Sequence, residues 1–453
     1  MSKVALSGKY RAYPEYKDSG VEWLGSIPKE WNSIAVGRLF KRTKRTGFTD
    51  KELLSVYRDY GVIPKSSRDD NNNKPSEDLS PYQLVQPNDL VMNKMKAWQG
   101  SIAISEYEGI VSPAYFVYEP NQKLFELAYP KYVHYLLRNP IYITQYMSRS
   151  KGIRVNQWDL DPDEFKCIDL LLPSKPEQAQ IFAFLDHETA KIDMLIEKQQ
   201  KLIELLKEKR QAVISHAVTK GLNPDATMKD SGVEWLGEVP EHWDVTRAKF
   251  VANIFVPQRN KPELNETQGI AWATMDDMKN KYIEHTSNFV ALDAAQQAGS
   301  KILKSGAVIA SCVGNFGITS INKVDVIINQ QLQAFQPHKI KAEYLQSIVS
   351  ISKQYFELIG TAATLIYVNQ EGFENLPVIV PPEEEQEQIS SLISEQQTKF
   401  KILIDKAINS IELMQERRTA LISAAVTGKI DVRHWVAPTI SSDTNEAQQE
   451  VTA

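Results

Sequence analysis

Along two stretches of the chain, apolar side chains return every three or four residues while the positions between them are polar or charged. The first runs from about Pro176 to Thr219 and the second from about Glu384 to Thr427. In the first, alternating steps of four and three pass through Ile181, Leu185, Glu188, Ile192, Leu195, Gln199, Leu202, Leu206, Lys209, Val213 and His216. In the second they pass through Ile389, Ile393, Gln396, Phe400, Leu403, Ala407, Ser410, Met414, Arg417, Leu421 and Ala424. No Gly lies within either series, and no Pro after Pro176. A heptad seam held this long predicts a coiled-coil helix. About 44 residues at 1.5 Å each make a rod of roughly 65 Å.

The two stretches align without a gap at an offset of 208, since Gln388 answers Gln180 (388 − 180). A second repeat precedes each of them. Lys17 to Trp31 reads KDSGVEWLGSIPKEW and Lys229 to Trp243 reads KDSGVEWLGEVPEHW, an offset of 212 (229 − 17). Identity over the first nine residues marks an internal duplication. Gly25 and Pro28 break this stretch, so it predicts a lead-in loop whose Trp23 and Trp31 pack on a neighbour. Between loop and helix lie two segments of mixed short β-like runs and helical pieces.

The expected architecture is α+β: two globular α/β domains, separated and followed by two long helices that form an antiparallel coiled coil, with an internal pseudo-two-fold repeat. The expected boundaries are 1–31 for the lead-in, 32–173 for the first domain, 174–222 for its helix and 223–243 for the repeated lead-in. The second domain then covers 244–381 and its helix 382–431, and 432–453 is expected to be a disordered tail. If the helices are centred near Gln199 and Ala407, paired positions sum to about 606, which places Glu188 near Arg417 or Arg418.

Composition narrows the function. At 453 residues the chain holds more than one domain. Its formal net charge of −5 leaves no global basic footprint, so nucleic-acid binding must come from local clusters. Cys167 and Cys312 are far apart and read as two buried thiols in a reducing compartment. No apolar leader and no apolar run of ~18 residues occurs, so a cytoplasmic location and no membrane association are expected.

Catalytic signatures are missing or degraded. The chain has no GxxxxGK[ST] or GxGxxG phosphate loop and no clustered Cys/His ligands. Asn139-Pro140-Ile141-Tyr142 resembles the Asn-Pro-Pro-Tyr/Phe loop of adenine aminomethyltransferases, but Ile141 replaces the second Pro; a helix-breaking Asn-Pro within a helical hairpin fits better. Pro162-Asp163-Glu164-Phe165-Lys166 places its acids side by side, where they cannot share a metal from separate strands, and reads as a solvated turn.

What remains is of the nucleic-acid type. Lys41, Arg42, Lys44 and Arg45 open the first domain, and Lys151, Arg154 and Asn156 lie near its close. Gln258, Arg259 and Lys261 come early in the second domain and Asn369 late. Lysines suit phosphates, while Arg, Asn and Gln suit base edges. Two unlike readers held by rigid helices predict a split, asymmetric duplex target with an unread spacer.

Over essentially its whole length the chain resembles the specificity (S) subunits of Type I restriction-modification systems. The resemblance is carried by the duplicated KDSGVEWLG-(I/V)P-xxW, the paired PxxEQxQI-type helix starts, and the helix ends Lys209 to Ser215 and Arg417 to Ser423, each followed by Ala-Val-Thr. It implies that the globular segments are target recognition domains binding double-stranded DNA. It also implies two modification (M) subunits carrying S-adenosylmethionine and two restriction (R) subunits using ATP and Mg²⁺. This chain itself would hold no cofactor or metal and perform no catalysis. Gly152 to Asn156 resembles the late DNA-facing segment of such domains, which makes Arg154 the leading contact. Gly360 to Thr364 lacks the corresponding Arg. Two alternatives stay open: a stand-alone adenine methyltransferase, and a coiled-coil scaffold that binds only proteins.

Overall fold

The computed structural model describes residues 10–58, 60–68, 74–154, 157–265, 267–360 and 366–437. They fall into two compact units, one drawn from 1–199 with 409–453 and the other from 200–408. Each unit therefore holds one globular domain, half of one long helix and half of the other.

In the first unit, β1 (Asn32–Ala35) leads into β2 (Phe40–Thr43), which edges a four-stranded antiparallel sheet with β3 (Leu90–Asn93), β4 (Ile102–Ile104) and β5 (Tyr115–Pro120), in the order β2-β5-β3-β4. Leu90, Val91 and Met92 are all buried, so this central strand reads as a continuous apolar run rather than an alternation. Helices α1 (Pro130–Leu137) and α2 (Pro140–Arg149) follow, then a hairpin of β6 (Ser150–Arg154) and β7 (Gln157–Leu160). Asn139 is the hinge between the helices. Its side-chain oxygen accepts from the Ile141 N–H at 3.0 Å, and Pro140 stands at the first helical position where it costs no hydrogen bond. Strand β8 (Asp169–Leu172) returns to pair with β1.

The second unit repeats this design with additions. Strands β9 (Asp244–Arg247) and β14 (Pro377–Val380) pair as β1 and β8 do. Strands β10 (Ala252–Phe255), β11 (Val308–Ser311), β12 (Thr319–Asn322) and β13 (Leu332–Pro337) form the sheet in the order β10-β13-β11-β12, with a short fifth strand, Tyr282–Ile283, added parallel to β12. Helix α3 (Ala342–Ile351) takes the place of α1.

The first long helix spans Lys175–Lys220 and the second Glu383–Val426. Ile181, Leu185, Ile389, Ile393, Phe400 and Ala407 are buried as the seam requires. Toward the middle the seam slips by one residue. Leu195, Leu202 and Leu403 are exposed, while Ile196 and Ile203 are half-buried and Ile404 is buried. A straight helix at 3.6 residues per turn drifts about 20° per heptad from a 3.5 repeat, so a fixed heptad count walks off the buried face.

Within the first unit the halves run antiparallel: Asp193 meets Arg418, and the earlier Gln180 donates to the carbonyl of Trp435. The register differs from the expected one. Arg418 pairs with Asp193 at 3.1 Å, whereas Glu188 accepts from the Tyr10 hydroxyl at 3.0 Å and lies 3.9 Å from Lys191.

Two further expectations are corrected. Cys312 is buried and its thiol pushed up to about 12 by that burial, but Cys167 is exposed because it follows the short helix Pro162–Lys166 at the surface. The start of the tail is packed: Val432 is buried and the Trp435 ring lies 5.4 Å from Phe184. Residues 438–453 lie outside the described residues.

Candidate nucleic-acid interface

The repeated motifs prove to be the joints that fix each domain to the helices. Trp31 donates its indole N–H to Glu177 at 3.0 Å, and Trp243 donates to Glu385 at 3.0 Å. Gln178 accepts from the Tyr129 N–H at 2.9 Å and donates to the Pro173 carbonyl at 2.8 Å; Gln386 does the same with Lys341 and Pro381 at 2.9 and 2.8 Å. These are the Glu-Gln pairs of the two helix starts. At the helix ends, the Tyr132 hydroxyl sits between the Leu171 carbonyl at 3.1 Å and the Val426 carbonyl at 3.4 Å, sharing its one proton between them, and Tyr344 donates to the Val218 carbonyl at 3.2 Å. Burial pushes both phenols well above their ordinary pKa, so they remain donors. Gly428 adopts φ +71, and a side chain there would meet Pro28 at 2.4 Å; Gly221, at φ +76, would meet Trp243 at 3.0 Å. Each domain is thus bound to the start of its own helix and the end of the other.

On this frame the polar candidates divide. Lys41, Arg42 and Lys44 are exposed at the sheet's edge strand and just beyond it, with the Arg42 guanidinium 4.1 Å from the Phe116 ring. Arg45 is committed inward: it is bound to Asp89 and donates to Gln86 at 2.6 Å. Asp89 is buried, which raises its pKa, while the Gln86 N–H and Arg45 hold it down. Lys151 is exposed on β6. Arg154 ends that strand opposite Gln157, its side chain beyond the described set, and Asn156 lies outside the described residues.

In the second unit Arg259 and Lys261 are exposed. Gln258 is buried, accepting from the Lys301 N–H at 3.1 Å, and serves the fold. Asn369 caps the short helix Gln370–Glu374 by accepting from the Gly372 N–H at 3.0 Å. Residues 361–365 lie outside the described residues.

The methyltransferase-like stretch is no base pocket. Asn139 and Tyr142 are both fully buried, Asn139 as a cap and Tyr142 accepting from the Leu171 N–H at 3.2 Å. Asp163 and Glu164 are held by Lys166 and Arg149 at 2.8 and 3.2 Å. Among the described residues no group of His, Cys, Asp and Glu is disposed to hold a metal ion, and no helix is long and apolar enough to cross a membrane. One signal lies outside these clusters: cations interleave with large apolar side chains in Lys94-Met95-Lys96-Ala97-Trp98.

Two domains of one design, joined to two long helices and carrying unlike cation clusters, define a recognition protein with two reading domains. The sequence profile of the Type I restriction modification DNA specificity domain matches residues 28–205 and again 240–414, and the chain belongs to that family. It is a non-catalytic DNA-recognition subunit. The chain is 24% identical over 429 residues to the Type I restriction enzyme MjaVIII specificity subunit of Methanocaldococcus jannaschii, covering 90% of this chain and 95% of that one. It is 21% identical over 455 residues to the StySPI specificity subunit of Salmonella potsdam, covering 93% and 94%. Among solved structures, a chain from work on complex assembly and conformational transition of the type I R-M system superposes with a TM-score of 0.67 at 16% identity, covering 89% of this chain and 99% of that chain.

Proposed function

We propose that this chain selects the target of a Type I restriction-modification assembly, its first domain reading one half of a split duplex sequence and its second domain the other. The observation that carries this is the pairing of like joints with unlike surfaces. Tyr132 and Tyr344, Gln178 and Gln386, and Trp31 and Trp243 make equivalent bonds, while Lys41 to Lys44 and Arg259 to Lys261 do not correspond. Lys41, Arg42, Lys44, Lys151 and Lys261 hold phosphates, and Arg154 and Arg259 reach the bases. Helix length determines the unread spacer.

The same duplication supports two M subunits, and with them two R subunits. Both long helices expose large apolar side chains near their middles, Met194, Leu195, Leu202 and Leu205 on the first and Ile402, Leu403, Ile408 and Leu413 on the second. Such a face is covered by partners rather than left in water. S-adenosylmethionine then belongs to the M subunits, ATP and Mg²⁺ to the R subunits, and the assembly works in the cytoplasm. The test is methylome sequencing of cells expressing this chain with its M partner. A single split, asymmetric, adenine-methylated motif is expected; a continuous motif, or none with the chain and M subunit co-purifying, refutes the reading.

A further inference from the structure

We propose that Met95, Trp98 and Trp158 of the first unit form an apolar contact that stacks against the bases of the DNA target, beside the cations that hold its phosphates. The inference rests on the DNA-reading role above and adds to it a contact that is neither a phosphate clamp nor a polar reading of base edges.

The local fold explains how these side chains are held. A 3-10 turn, Ala97–Gln99, follows β3 and closes on Gly100 at φ +94, where a Cβ would come within 2.7 Å of Ile143 of α2. The turn is pressed against that helix. Trp98 donates its indole N–H to the Met95 carbonyl at 3.0 Å, which fixes the ring, and the Trp158 ring lies across it with centroids 4.9 Å apart at 60°. Trp158 stands on β7, two residues before the buried Leu160, whose N–H donates to the Lys94 carbonyl at 3.3 Å. The hairpin is thereby tied to the turn.

Packing alone does not account for the arrangement. Met95 is 44% exposed, and both tryptophans are only half-buried. The second unit builds the corresponding turn from Gly314 to Gly317 with a buried Phe316 that lies 5.7 Å from Phe356, and although Lys353 and the exposed Tyr367 lie beside it, the turn itself carries no tryptophan. The fold can therefore close this corner without leaving tryptophan in water.

The chemistry of the patch selects its occupant. With the Trp98 N–H satisfied internally, that ring offers only apolar and π surface. Trp158 keeps an indole N–H with no partner among the described residues, a single donor aimed at no particular base pattern. Lys94 and Lys96 flank Met95, the first half-buried and the second exposed, while Lys151 and Asp159 stand opposite one another in the hairpin register. Aromatic surface beside lysines suits bases flanked by phosphates.

The test uses the full chain with its M partner and a randomised duplex carrying 5-bromouracil in place of part of its thymine, irradiated and analysed by peptide mass spectrometry. Crosslinks on the peptides containing Met95 to Trp98 or Trp158 are expected. Crosslinks confined to other peptides overturn this inference and leave the DNA-reading role standing, whereas a duplex that is not retained at all overturns both. Met95→Ala and Trp158→Phe, which spare the fold, are each expected to lower affinity several-fold, and Trp98→Ala about 5- to 100-fold, with the salt dependence unchanged. Met95→Ala and Trp158→Phe proteins that both bind like the parent also overturn it.

Discussion

The indole N–H of Trp31 donates to the same Glu177 oxygen that accepts from the Tyr13 hydroxyl, at 3.0 and 2.6 Å. Both contacts are buried, and Arg433 stacks over the Tyr13 ring at 4.9 Å. The twin carboxylate, Glu385, accepts from Trp243 and contacts His242 at 2.7 Å but is more open to solvent. Glu177→Ala leaves two buried donors without an acceptor and is expected to destabilise the first unit by roughly 2–4 kcal/mol. Glu385→Ala is expected to have a smaller effect on the second. Denaturant unfolding of both variants compares them directly; equal losses contradict the account.

Arg418 and Asp193 make the ion pair that marks the helix register in the first unit. Both are partly exposed, so the pair's effect on stability is small, about 0–1 kcal/mol. Its expected value is in specificity of pairing. Asp193→Arg and Arg418→Asp should each lower the melting temperature by a degree or two, and the double exchange should recover most of the loss. Glu188→Arg with Arg417→Glu should show no such recovery.

Lys41 is exposed on an edge strand with nothing to read but phosphate in our reading. Lys41→Ala is expected to weaken binding to every duplex alike and to make the salt slope shallower by about one unit. Arg154→Ala is expected instead to relax specificity in one half-site, at a cost of roughly 1–3 kcal/mol on the cognate sequence alone. Equal losses on cognate and random duplex would remove Arg154 from the readout.

His134 is half-buried, its Nδ1 donating to the Ile104 carbonyl at 3.3 Å and its Nε2 accepting from Arg138 at 3.0 Å. Burial, with Arg138 and Lys131 nearby, lowers its pKa to about 4. The unfolded chain, with an ordinary value near ~6.5, binds the proton more readily. This contribution to stability is therefore complete above about pH 6.5 and falls away as the pH drops toward 4, by up to roughly 3 kcal/mol. His134→Gln should flatten that fall relative to the parent in unfolding measured across the same range. A parallel pH profile in the two proteins would show that His134 does not titrate in this way.

Much of the fold was legible because duplication makes a sequence its own alignment. The offsets of 208 and 212 located both lead-in loops and both helix starts, and the seam from Ile181 to Ile192 and from Ile389 to Phe400 is buried as its spacing requires. The middle of the helices was less legible, since Leu195 and Ile196, or Leu202 and Ile203, are equally apolar neighbours and only the accumulated twist of the helix chooses between them. Pairing partners were less legible still. Glu188 and Asp193 are both acidic residues on one helix, and the hydroxyl of Tyr10, far away in the chain, claims the first.

The candidate interface divides along the same line. The sequence alone determined the architecture, the family, the absence of catalytic motifs and the segments in which cations gather, because these depend on residue type, period and repetition. Tertiary structure decided which of those cations are available. Arg45 is drawn inward by Asp89, Gln258 is buried against the Lys301 backbone and Asn369 is occupied as a helix cap, while Trp98 and Trp158, distant in sequence, meet at the surface. Residue chemistry states what a side chain can bind. Only packing settles whether the protein itself has already bound it.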